Sequence, residues 1–100
     1  MDRLQLQSLL EGLLGSGNVY FQPPNNVAMN YPAIVYHWND ERTEFADNNP
    51  YNHARKYQVT IIDRNPDSDI PSKISALPMS LFNRTFRADN LNHFVYNLYI

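Results

Sequence analysis

No cysteine occurs among the 100 residues, which removes disulfide frameworks, thiolate zinc sites and cysteine nucleophiles together. That absence fits assembly in a reducing cytoplasm. Glycine is nearly as scarce: the three present, Gly12, Gly15 and Gly17, cluster at the end of a helical pattern. None lies between a strand and a helix, where a backbone cradle for phosphate would form. No apolar run approaches the roughly 20 residues a membrane helix needs, and no charged segment leads into an apolar one at the start. The chain is therefore expected to be neither exported nor membrane-spanning. Its eight Lys and Arg are scattered and the net charge is −2, so no basic block marks a reader of nucleic-acid sequence.

What is present is contact surface. The chain is 43% hydrophobic and 13% aromatic against 18% charged, the composition of one small domain spanning residues 1–100. Seven tyrosines and 13 asparagines stand out. Turn chemistry and a half-buried sheet account for part of that surplus. The remainder points to a wet, polar assembly surface, because tyrosine suits interfaces that are apolar on one side and hydrated on the other.

Leu6, Leu9, Leu10, Leu13 and Leu14 recur at helical spacing, with Asp2 at the start and Gly15 as a stop, and predict a helix over residues 2–14. A short strand at Val19, Tyr20 and Phe21 should end at Pro23-Pro24. Residues 33–38 alternate as a strand, Asn39-Asp40-Glu41-Arg42 reads as a turn, and residues 43–46 read as its return. Residues 51–63, with Tyr57, Val59 and Ile61 alternating against Gln58, Thr60 and Ile62, predict the central strand. Ile70, Ile74 and Leu77 predict a short second helix, capped by Asp67 or Ser68. Strands over 82–86 and 92–100, joined by a turn at Arg87-Ala88-Asp89-Asn90, complete the order α-β-β-β-β-α-β-β. The expected class is α+β, with a mainly antiparallel mixed sheet and two helices.

Enzymatic chemistry finds little support. Asp63-x-Asn65-x-Asp67-x-Asp69 imitates the start of a calcium loop, but Ser68 replaces the turn glycine and Ile74 replaces the closing carboxylate. His37, His53 and His93 lack paired ligand spacing. No serine lies in a nucleophile-turn motif. The remaining enzymatic alternative is a small metal-dependent nuclease or binding enzyme in which His37, His53, Asp47 and Asp63 converge. No catalytic residue, metal or cofactor is otherwise assigned.

Four segments carry a resemblance: Val19-Tyr20-Phe21-Gln22-Pro23-Pro24 continuing through Tyr31-Pro32-Ala33-Ile34-Val35-Tyr36; Ala46-Asp47-Asn48 with Tyr51; Tyr57-Gln58-Val59-Thr60-Ile61-Ile62-Asp63 with Pro66-Asp67-Ser68; and Asp89-Asn90-Leu91-Asn92-His93. Together they resemble the small tail-completion proteins of long-tailed bacteriophages, the tail terminators of the head-to-tail junction. The resemblance implies a virion protein, assembled in the host cytoplasm, that forms a hexameric ring on the head-proximal end of the tail tube. Such a ring ends tube growth and offers the head a docking surface. Implied partners are further copies of the chain, the tail tube protein and a head-completion or stopper protein, with DNA passing through the lumen unread. A stopper or other neck connector is the alternative role.

Ring closure needs two different, complementary patches per protomer. The candidate interface residues are Tyr20, Phe21, Gln22, Pro23, Pro24 and Asn25 in one segment, and Asp40, Glu41, Arg42, Asp47, Asn48 and Tyr51 in the other. Ordinary hairpin turns are the competing explanation for both segments.

Overall fold

A computed structural model describes residues 2–24, 27–46, 49–78 and 80–99, with the backbone alone described over 40–46 and 49–55. The described residues form two helices and five strands in the order α1 (Arg3–Leu14), β1 (Val19–Phe21), β2 (Ala33–Ala46), β3 (Asn49–Asp63), α2 (Ile70–Ser75), β4 (Ser80–Ala88) and β5 (Leu91–Tyr99). The strands form one mixed sheet in the order β1-β2-β3-β5-β4. Among the described residues β1 and β2 run parallel and the other pairs antiparallel. The α+β class and the central place of β3 are as the sequence predicts.

α1 forms where its caps dictate. The Asp2 carboxylate accepts from Gln5 N at 2.8 Å, and Gln5 Oε1 accepts from Asp2 N at 2.9 Å, so two otherwise orphaned donors are satisfied reciprocally. Gly15 ends the helix at φ 81°, a left-handed conformation that glycine reaches without steric cost, and its N–H donates to Glu11 O.

Both helices pack on one face of the sheet. Leu6 and Leu10 from α1 and Ile70 and Ile74 from α2 meet Ile34, Tyr36, Tyr57, Val59, Ile61, Tyr96 and Leu98. The register places these strand residues in rows: Ile34 opposite Ile61 opposite Phe94, and Tyr36 opposite Val59 opposite Tyr96. Tyrosine thus serves the core as well as any surface, since Tyr36, Tyr57 and Tyr96 are all buried. The phenolic oxygens of Tyr36 and Tyr96 reach polar groups at the core margin: Tyr36 donates to Gln7 Oε1, and Ser75 Oγ donates to the Tyr96 hydroxyl at 2.8 Å.

Three expectations need correction. Residues 33–46 are one strand, not strand, turn and return, so three strands rather than four separate the helices. The turn-forming residues there accommodate a bulge instead: Trp38 pairs with Tyr57 and Asp40 with Lys56, leaving Asn39 as the extra residue. The cap of α2 also differs. Asp69 occupies the N-cap position without a side-chain cap bond, Ser68 Oγ accepts from Ile70 N, and Asp67 donates its N–H to Asn65 Oδ1.

A second bulge, between Phe82 and Arg84, changes which side of the sheet β4 presents. Phe82 faces the helix side and meets Tyr96 edge-on at 5.4 Å, whereas Phe86 lies on the opposite side, stacked on His93 at 4.5 Å. β5 returns along β4 through Asp89 and Asn90, whose φ values of 53° and 62° are those of a two-residue hairpin turn.

Candidate functional site

The two candidate segments meet at one place. β1 pairs with Ile34, Val35 and Tyr36 and then stops, because Gln22 adopts φ 44° and turns the chain out of the sheet. Gln22 nevertheless keeps hold of β2: its N–H donates to Tyr36 O at 3.0 Å, and its Oε1 accepts from Trp38 N at 3.2 Å. Asp40 follows two residues later. The end of the first segment therefore abuts the root of the second.

Within the first segment the side chains divide. Phe21 packs its ring on Tyr36 at 4.9 Å, beneath the Arg3 guanidinium at 4.6 Å from its centroid, and so reinforces the core. Tyr20 is half-buried. Pro23 and Pro24 leave the sheet edge and line a cleft on the face away from the helices. Asn25 lies outside the described residues.

From Asp40 onward, β2 and β3 continue as a two-stranded ribbon. β5 joins β3 only from Lys56, and β1 covers β2 only as far as Tyr36, so among the described pairings residues 40–46 pair with β3 alone. Seven strand residues rise about 23 Å, and the molecule measures 50 × 24 × 23 Å. Asp40, Glu41 and Arg42 occupy the outgoing strand of this arm and Tyr51 the returning one. Asp47 and Asn48 lie outside the described residues.

The cleft, of about 460 Å3, is closed on one side by Pro23, Pro24 and Met29 and floored by Val35, Ile62 and Val95. Arg84, His37 and His93 stand at its walls, and among the described residues no carboxylate lines it. His93 Nδ1 lies 3.2 Å from Leu91 O, a hydrogen bond when that nitrogen carries the proton.

The two metal constellations considered from the sequence do not assemble among the described residues. His53 and Asp63 lie ten residues apart on β3, about 33 Å along a strand, so the proposed convergence with His37 and Asp47 on one ion is excluded by register. In the calcium-like run, Asp63 Oδ1 accepts from Asn65 N and Asn65 Oδ1 accepts from Asp67 N, both at 3.0 Å. These are consecutive Asx turns leading into α2. Among the described residues no three His, Asp or Glu gather in a metal-holding group, and no helix is long and apolar enough to cross a membrane.

Sequence reasoning missed the surface that β4 presents. Leu81, Phe82 and Phe86 are large, apolar and exposed. The available signal was the adjacent pair Leu81-Phe82, which cannot bury both members on one face of a strand. The chain matches no protein-family model and no curated protein.

Proposed function

We propose that this chain is a structural protein of a long-tailed phage virion, and that it caps the head-proximal end of the tail tube as a ring, ending tube polymerisation and presenting a docking surface to the head. The observation that carries this reading is the β2–β3 arm, with strands of 14 and 15 residues in a 100-residue chain. An isolated two-stranded ribbon is at best marginally stable in water, and burial against a neighbour would stabilise it. The sequence resemblance to tail terminators points the same way.

The sheet also supports ring geometry. Its two edges differ: β4 forms one, while β1 and the arm form the other. Head-to-tail association requires such dissimilarity, since identical patches meeting about a two-fold axis close as a dimer. Gln22, Trp38 and the arm residues Asp40, Glu41 and Arg42 belong to one contact in this reading. The protein then works by contact, without catalysis, cofactor or metal.

Six copies would carry a formal charge of about −12, so duplex DNA would traverse the lumen without being held by phosphate clamps. The partners are the tail tube protein on one side and a head-completion protein on the other. Co-sedimentation with purified tail tubes tests the assignment: attachment at one tube end supports a terminator. Binding to portal-side connector protein in place of the tube would assign the chain to a stopper role.

A further inference from the structure

We infer that the cleft on the face away from the helices is a binding site for a short peptide segment of a partner protein, one that carries a carboxylate beside apolar side chains. The Arg84 guanidinium receives the carboxylate, and the strand floor receives the apolar part. The site does not depend on the ring assembly proposed above.

The sheet itself assembles the cleft. Register places Val35, Thr60, Val95 and Arg84 in one row across β2, β3, β5 and β4, with Ile62, His93 and Phe86 in a neighbouring row. At about 460 Å3 the space lies within the size range of ligand sites. It is nevertheless broadly open to solvent, whereas pockets for small molecules bury about 70–90% of the ligand surface. An open cleft suits a segment whose chain continues outside it.

Arg84 is held in place before any ligand arrives. Its guanidinium carbon lies 5.6 Å from the Phe86 ring centroid, and that ring stacks on His93 at 4.5 Å. Such a contact restricts the side chain, so less freedom is lost on binding. Among the described residues Arg84 forms no ion pair, and its planar fork matches a carboxylate.

The surrounding charge leaves that preference intact. Asp63 and Asp89 lie outside the cleft lining, and Asp63 Oδ1 already accepts from Asn65 N. Beyond His37 and Gln58, Asp40 pairs with Lys56 and their formal charges cancel. Arg64 flanks the other end, with its guanidinium carbon 5.7 Å from the Tyr31 ring centroid.

Polar groups on the floor favour a peptide over a plain apolar acid. The side chains of Gln58 and Thr60 line the cleft and meet no hydrogen-bond partner among the described residues. An amide and a hydroxyl both donate and accept, which is what a peptide main chain requires.

The test titrates the full, isotopically labelled chain with capped pentapeptides to about 5 mM, a range that reveals millimolar binding. Each peptide has a central aspartate or glutamate flanked by leucine or phenylalanine. The best of them should shift the amide signals of Val35, His37, Ile62, His93 and Val95 with a Kd of about 1 mM or tighter. Amidating the acidic side chain, or placing serine at the flanking positions, should weaken binding by about tenfold. Arg84→Gln should do the same. Arg87→Gln should leave binding unchanged, because Arg87 pairs with Asn92 and lies outside the lining. Both arginines are exposed, so each variant should melt within a few degrees of the parent. Peptides that leave these amides unmoved, or acidic and amidated peptides that bind alike, would overturn the site. Equal weakening by Arg84→Gln and Arg87→Gln would overturn it as well, leaving only diffuse surface charge. Free 4-phenylbutyrate that binds as tightly as the best peptide would overturn the peptide assignment.

Discussion

The Tyr36 hydroxyl donates to Gln7 Oε1, and the Gln7 amide in turn donates to Val19 O at 3.0 Å. One tyrosine on β2 therefore fixes α1 over both parallel strands. Arg3 adds a donor to the same hydroxyl at 3.4 Å, and Glu11 accepts from Gln7 at 3.3 Å. Burial pushes the Tyr36 phenol above its ordinary value near 10, with the Arg3 hydrogen bond and charge opposing that shift. A folded-state value above the unfolded one means that stability is fully present below about pH 10 and falls as pH rises through the folded value. Tyr36→Phe should remove about 1–2 kcal/mol at neutral pH. It should also flatten the alkaline decline, as measured by urea denaturation across pH 8 to 11.

Leu10 is fully buried between α1 and the sheet, and Ile74 holds the equivalent place on α2. Leu10→Ala and Ile74→Ala should each cost about 2–5 kcal/mol through lost burial and a residual cavity. Calorimetry would read this as a large drop in melting temperature. By contrast, Leu4→Ala, at an exposed site on the same helix, should stay within about 0.5 kcal/mol.

Gln22→Ala should cost about 1 kcal/mol, because Trp38 N loses its side-chain acceptor at the sheet edge. The local consequence is larger than the global one. Hydrogen exchange at Trp38 N should accelerate while the amides of β3 and β5 remain protected. Equal acceleration throughout the sheet would show that Gln22 supports the whole fold rather than the root of the arm.

Replacing residues 41–55 with Asn-Gly joins Asp40 to its strand partner Lys56 through a two-residue hairpin turn. Every core residue on β2 and β3 among the described side chains lies outside this deletion. The shortened chain should keep the parent's near-UV spectrum and melt within a few degrees of it. Ring formation and tube capping should be lost.

Much of this architecture was legible because burial writes a period into the sequence. The leucine stripe of α1, bounded by Asp2 and Gly15, and the alternation at Tyr57, Val59 and Ile61 both record one face turned toward a core. The arm left no such record. Asn39, Asp40, Glu41 and Arg42 are turn-forming residues, but there the strand persists through main-chain pairing with β3 and a bulge, neither of which demands an apolar face. β4 was placed correctly, yet its exposure was hidden, because Leu81, Phe82 and Phe86 look like core residues until the strand is found at the sheet edge. Gln22 was a candidate contact residue, but its hold on β2 left no signal in the sequence. Its role depends on a left-handed backbone and on a β2 amide 16 residues away.

The length distribution of tail tubes polymerised with and without this protein tests the central claim most directly, with negative-stain images of the tube ends. Addition of the chain should arrest growth, leave tubes of uniform length and place a ring at one end of each. Tubes that continue to lengthen with bare ends, at protein concentrations well above that of growing ends, would contradict the account.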